Sequence, residues 1–169
     1  MSIGFASFGD NLKISRKASI YSPEKISIGN NVRIDDFCIL SGRINIGSNI
    51  HISAYVALYG QAGITIQDFS GISARCTLYS AIDDLSGDYL VGPHHPVETT
   101  KLIKGEIIIE KYVQIGCNSV VFPAVKISDG CVVGAHSIVK TNTTPWGVYA
   151  GIPCKRIKDR NNGLLTKLY

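Results

Sequence analysis

The sequence lacks any long apolar run. No stretch approaches the roughly 20 residues that cross a bilayer as a helix, so a helical membrane span is excluded. The opening MSIGFASFGD has neither the basic start nor the apolar centre of a secretory leader, and a cytoplasmic protein is expected. An excess of one charge is missing too. The 17 basic and 13 acidic residues leave a net charge of +4 without a polybasic cluster, so no nucleic-acid partner is expected. The five cysteines, Cys38, Cys76, Cys117, Cys131 and Cys154, are odd in number and form no C-x-x-C pair. That speaks against a zinc ribbon or disulfide framework and fits reduced thiols.

A helical period of 3.6 and a plain strand period of 2 are both absent. In their place the chain repeats every six residues. Eighteen hexads open on Ile, Leu, Val or Phe, in four registers that begin at Phe8, Ile28, Ile66 and Ile109. The fifth position is usually small or apolar, as at Val32, Cys38, Val56, Cys76, Ser119 and Cys131. Glycine often follows the first position, then Asn or Asp, residues that tolerate turns and positive φ. Such a unit suits a short strand plus a turn. Three units make one 18-residue coil, and eighteen make about six coils. At about 4.8 Å per coil, the prism is on the order of 25–30 Å long. The register slips by two residues after the third hexad and again after the ninth, and it breaks for a long stretch after the twelfth. All three counts are multiples of three, so all three insertions leave one corner of the prism. The chain is read as one all-β domain over 1–169. Its coils cover about 8–144, a long loop covers about 79–106, and a C-terminal segment and short tail cover 145–169. Cys38, Cys76 and Cys131 fall on inward positions and are read as core.

The repeat resembles the hexapeptide-repeat acyltransferases, whose signature is [LIV]-G-x-x-[STAV]-x, over about residues 8 to 158. That resemblance, not the spacing, implies a left-handed parallel β-helix and a homotrimer. The segment PWGVYAGIPCKRIKDR, Pro145 to Arg160, is similar to the end of the sugar O- and N-acetyltransferases, which include the galactoside and maltose enzymes. The stretch D-D-x-S-G at Asp83–Gly87 resembles acetyltransferases of polysaccharide and O-antigen (lipopolysaccharide) pathways. The resemblance implies acetyl-CoA as co-substrate, no metal, and a sugar or nucleotide-linked sugar as acceptor. Direct attack in a ternary complex would move the acetyl group to a hydroxyl or an amine. The coenzyme would lie along Cys117, Ala135, Lys140, Thr141 and Gly151, with Lys155, Arg156 and Lys158 on its phosphates. Trp146, the only tryptophan, either anchors the tail or stacks near the adenine.

The long loop carries P-H-H-P at Pro93–Pro96. A histidine titrates near neutrality, and Pro96 biases His95 towards extended backbone. The H-P-[hydrophobic] context of His95 resembles the galactoside branch and implies that His95 is the general base. His94, the other histidine of the pair, is the second candidate for the base and a candidate for binding the acceptor. Asp83 or Asp84 orients that histidine, binds the acceptor, serves as the base for an amine, or makes an Asx turn. Tyr79, Ser80 and Tyr89 are candidates for the acceptor pocket, and Glu98 is a candidate partner for a histidine. His51 and His136 fall on outward positions and are read as surface. Two other classes compete. A non-catalytic trimeric scaffold would bind no coenzyme. A metal enzyme like the γ-class carbonic anhydrases needs three histidines on facing flats, and the four here are spaced wrongly for tetrahedral ligation.

Overall fold

The computed structural model describes residues 4–167; Met1–Ile3 of the leader reading and Leu168 and Tyr169 of the expected tail lie outside it. The chain winds as the expected left-handed parallel β-helix. Its only helical pieces, among the described residues, are three short 3-10 turns at Pro23–Lys25, Val97–Thr99 and Gly163–Lys167.

Backbone pairing sorts the hexads into three columns. One aligns Ile28, Ile46, Ile66, Ile109 and Ile127. A second aligns Ile14, Ile34, Ile52, Ile72, Ile115 and Val133. A third aligns Ile20, Leu40, Leu58, Leu78, Val121 and Val139. Each column is one side of the prism. Its first-position aliphatics fill the axis from the second coil onward, nearly all with no more than 3 % exposure. Burying each such side chain contributes about 1.5–3 kcal/mol. Fifth-position serines stay in the core because their hydroxyls find carbonyls. Ser70 donates to Glu110, and both Ser119 and Ser137 donate to Gly134. Phe8 departs from the expected pattern. It opens the first coil, which has a neighbour on one side only, and it is 66 % exposed.

The corners are made differently from the expectation. The left-handed residue is the fourth of the hexad, whatever its type: Asn31, Phe37, Tyr55, Arg75, Tyr112, Asn118 and His136 all have φ between 55° and 62°. Except at Phe37, the N–H of each of these residues donates to a carbonyl of the neighbouring coil, as from Asn31 to Asp10, Tyr55 to Asp36 and His136 to Cys117. The second-position glycines serve close approach instead. A Cβ on Gly116 would lie 2.5 Å from the backbone nitrogen of Ala135, and one on Gly29 would lie 2.7 Å from the carbonyl carbon of Gly47. Fourth-position side chains therefore stack in ladders. Asn11 donates to Asn31 and Asn31 to Asn49; Phe37 stacks on Tyr55 at 5.0 Å; Phe69, Tyr112 and Trp146 form a third ladder.

The segment after Val139 extends the prism. Gly147–Ala150 pairs in parallel with Val132–Val133, and Lys155–Asp159 folds back on it antiparallel. The returning strand covers an edge that would otherwise be open for pairing. Trp146 lies against Gly130 and stacks on Tyr112. It is the anchor of the tail. Arg160 adds a second pin by donating to the carbonyls of Tyr112 and Gly130 at 2.7 and 2.9 Å.

All three insertions leave the corner between the third column and the first. The first is the turn at Ser22–Lys25. The second lies within the long strand Ala57–Ile66, where Gly63 has φ +109°. The third opens as a hairpin, Ala81–Asp83 against Leu102–Lys104, with the rest of the loop beyond it.

Candidate functional site

The shared corner makes a cleft of about 880 Å³. The first insertion supplies Ser22 and Lys25, and the second supplies Gln61 next to Tyr59. The third supplies Ala81, Asp83 and Pro93 next to Tyr79, and the uninterrupted coil between the first two supplies Ser41, Gly42 and Arg43. Tyr59 and Tyr79 follow aligned leucines on successive coils, so their rings stack at 5.2 Å and 9°. Arg43 is held in place. Its guanidinium donates to the Ala62 carbonyl at 2.7 Å and lies so close over Gly63 that a Cβ there would approach it to 2.6 Å. Among the described residues neither Lys25 nor Arg43 forms an ion pair. An aromatic pair, two cations and one carboxylate therefore share one cleft.

The two adjacent aspartates have different surroundings. Asp83 lines the cleft, and its carboxylate accepts only a long 3.4 Å hydrogen bond from the Gly92 N–H. Asp84 is buried. It accepts the Ser86 N–H at 2.8 Å and pairs with Lys101 at 3.0 Å, and the Lys101 ammonium also sits 5.0 Å from the Tyr89 ring. Hydrogen bonds from the Ser86 hydroxyl and N–H, then the Lys101 ammonium, hold the Asp84 carboxyl down to about 2. The same carboxylate raises Lys101. This group is a latch that ties the loop to its root, and an acid so strong is a poor proton acceptor.

Asp84 is depressed on folding, so its contribution is fully present above the ordinary value near 3.9 and is lost as pH falls towards about 2. Lys101 is raised, so its contribution is complete below about 10.4 and is lost only above that. Asp84→Asn is expected to speed hydrogen exchange over residues 85–100 by the same factor at pH 6 and pH 9. A factor that changed across that window would show that another group holds the loop.

The remaining sequence candidates divide. Tyr79 lines the cleft. Ser80 does not reach it. Ser80 is fully buried, donates to the Tyr59 carbonyl and accepts the Ala62 N–H, so it stitches the second insertion to the third. Tyr89 is spent under Lys101. His94 and His95 are exposed on a turn, and it is Pro93 rather than either of them that lines the cleft. Glu98 is exposed and shares no recorded contact with them. His51 pairs with Asp35 at 2.7 Å, and His136 contacts Asn118 at 3.3 Å; both are on the surface. No three His, Cys, Asp or Glu side chains gather as for a metal among the described residues.

The coenzyme candidates fall into separate groups. Cys117 and Ala135 stand on neighbouring coils at the corner between the second and third columns, where Gly116 abuts Ala135. Gly151 continues that corner and accepts Ile138 N–H at its carbonyl. Lys140 and Thr141 are exposed at the insertion corner, and Lys155, Arg156 and Lys158 are exposed on the returning strand. Arg156 already pairs with Asp159. Burial raises the Cys154 thiol, and burial pushes Cys76 up to about 11. Lys25, Arg43, Tyr59 and Gln61 are the charged, aromatic and amide side chains of the cleft that sequence reading missed.

No family model matches the chain. A dTDP-4-amino-4,6-dideoxy-D-glucose acyltransferase from Escherichia coli is 45% identical over 166 residues, 96% of this chain and 86% of that protein. AntD, an N-acyltransferase from Bacillus cereus solved with dTDP and 3-hydroxybutyryl-CoA, is 51% identical at a TM-score of 0.96, over 98% of this chain and 88% of that one. A hexapeptide-repeat acetyltransferase from Vibrio cholerae, with acetyl coenzyme A, shares the fold at a TM-score of 0.65 and 23% identity, over 94% of this chain and 73% of that one.

Proposed function

The chain belongs to the hexapeptide-repeat sugar acyltransferases, and we propose that it N-acylates a dTDP-linked 4-amino-4,6-dideoxy sugar, using acyl-CoA as donor. The observation that carries this reading is the near-full-length likeness to two proteins described as acting on, or solved with, that kind of acceptor. The cleft supports it. A stacked tyrosine pair suits a base or sugar ring, and Lys25 and Arg43 suit a diphosphate. The sugar amine then comes to Asp83.

In the reaction, the amine nitrogen attacks the thioester carbonyl, a carbon–nitrogen bond forms, and the carbon–sulfur bond breaks. Coenzyme A leaves as the thiolate, and one proton leaves the nitrogen. Asp83, rather than His95, holds and takes that proton; its position in the cleft lining and the exposure of His95 on the loop support this. AntD has been crystallised with a serine replaced, and separately with an aspartate ten positions later replaced. Two Ser–Asp pairs here have that spacing. Ser119 and Asp129 are consumed by the coil, Ser119 in the core and Asp129 accepting the Lys111 N–H. Ser73 and Asp83 remain. They belong to different sides of the prism, so a shared site draws on two copies of the chain. This supports a homotrimer whose intersubunit groove also joins the separated coenzyme candidates. A cytoplasmic step in the assembly of a surface polysaccharide such as lipopolysaccharide completes the reading. Among the described residues no helix is long and apolar enough to cross a membrane.

Thiol release in the presence of acyl-CoA and dTDP-4-amino-4,6-dideoxyglucose tests the proposal. Turnover is expected with the amino sugar and not with the corresponding 4-hydroxy sugar. Equal turnover of both would refute selection of the amine.

A further inference from the structure

A second pocket opens behind Asp83. Tyr79, Ala81 and Asp83 wall the acceptor cleft from one side and a volume of about 370 Å³ from the other, which Ile82, Leu85 and Phe122 close. Asp83 is the only charged residue in that lining. Leu85, in that lining, is 77 % exposed.

The order along the prism gives this pocket its meaning. Tyr59, Tyr79, Phe122 and Lys140 follow the aligned residues Leu58, Leu78, Val121 and Val139, so they form one outward row over four successive coils. The first two stack on each other. The Lys140 ammonium lies 4.7 Å from the Phe122 ring. Reading from the amino end, the row runs from acceptor cleft to Asp83, to apolar pocket, to a cation on the coenzyme side.

The geometry points to an acyl pocket: this volume receives the acyl chain of the donor and selects chains longer than acetyl. The inference rests on the acyl-transfer reading above. The thioester carbonyl has to meet the amine at Asp83, and the carbons beyond it need somewhere dry. Ile82, Leu85 and Phe122 offer that place and carry no hydrogen-bonding group. The volume leaves room for more than an acetyl. At about 30 Å³ per heavy atom, the share of a water in the liquid, an acetyl fills about 90 Å³ and a butyryl about 150 Å³. An acetyl therefore takes up about a quarter of the volume and a butyryl about two fifths, so the longer chain covers more of the apolar wall.

The test is calorimetric titration of the intact protein with coenzyme A, acetyl-CoA and butyryl-CoA. Butyryl-CoA is expected to bind about tenfold tighter than acetyl-CoA, as two further buried methylenes require. Leu85→Ser and Phe122→Ser are each expected to bring that ratio close to one. A ratio of one in the native protein would overturn the inference, as would a full ratio in both variants. If a variant fails to fold, judged by circular dichroism, the native ratio still decides. The two readings fail separately. Turnover of the amino sugar with a ratio of one removes the acyl pocket alone, and a tenfold ratio without amino-sugar turnover removes the acceptor assignment alone.

Discussion

Asp83→Asn is expected to lower turnover by about 10² to 10⁴, the usual worth of a general base, while leaving acyl-CoA affinity near its native value. Asp83 is the one carboxylate that both lines the acceptor cleft and keeps its oxygens free of a close partner. The asparagine is the same size and still accepts the Gly92 N–H, so the hairpin stays in place and the change isolates proton transfer. Asp84→Asn serves as the contrast. It breaks the ion pair with Lys101, so it loosens the loop and raises the acceptor's KM more than it lowers kcat. His95→Ala is expected to keep most activity, because His95 sits exposed on the turn after Pro93. Initial rates at saturating acyl-CoA, with the acceptor varied, separate the three. If His95→Ala lost turnover and Asp83→Asn kept it, the base would be the histidine and the loop would have to close over the cleft.

Much of this was legible in the sequence, for a physical reason. A β-helix repeats its packing, so each hexad restates which residue faces the axis. The three columns of Ile and Leu follow directly from counting in sixes. The shared corner followed too, since 3, 9 and 12 hexads are whole coils. Inside the repeat the sequence misleads where geometry is set by the neighbouring coil. Phe, Tyr, Arg and His are not turn formers, yet Phe37, Tyr55, Arg75 and His136 are left-handed, and the N–H of Tyr55, Arg75 and His136 is claimed by the coil beside it. Ser80 looked like a pocket residue from its place beside Tyr79. One residue of alternation turns it inward, to full burial.

The loop was the least legible part. Its histidines carry a strong chemical signal, but reactivity needs placement, and residues 84–101 follow no repeat. The ion pair that fixes the loop spans Asp84 and Lys101, a distance no local motif records. The missed cleft residues carried one clue that was available. Lys25 and Gln61 sit on the two short insertions, and Arg43 occupies the same corner of the coil between. Insertions that share a corner can build a single site even when each is only a few residues long.

That cooperation extends to the charges that face the acceptor. Lys25→Ala with Arg43→Ala is expected to reduce kcat/KM for the dTDP-sugar by about 10²-fold, mostly through KM. Each charge-assisted hydrogen bond contributes about 1.5 kcal/mol at the low end, and about 3 kcal/mol in total is about two decades. The low end is appropriate because the cleft is open to solvent and salt screens exposed charges. The two residues come from different coils, and Arg43 is already fixed by Ala62 and Gly63, so it meets a phosphate without having to be ordered first. Arg43→Lys should therefore recover little, since an ammonium cannot reproduce the flat guanidinium held over Gly63. Acyl-CoA affinity should stay unchanged, because neither residue lies towards Phe122 and Lys140. A double variant that lost acyl-CoA binding instead, with the KM for the dTDP-sugar intact, would exchange the two ends of the site. The cations at the insertion corner would then belong to the coenzyme, and the nucleotide would have to lie along the later coils.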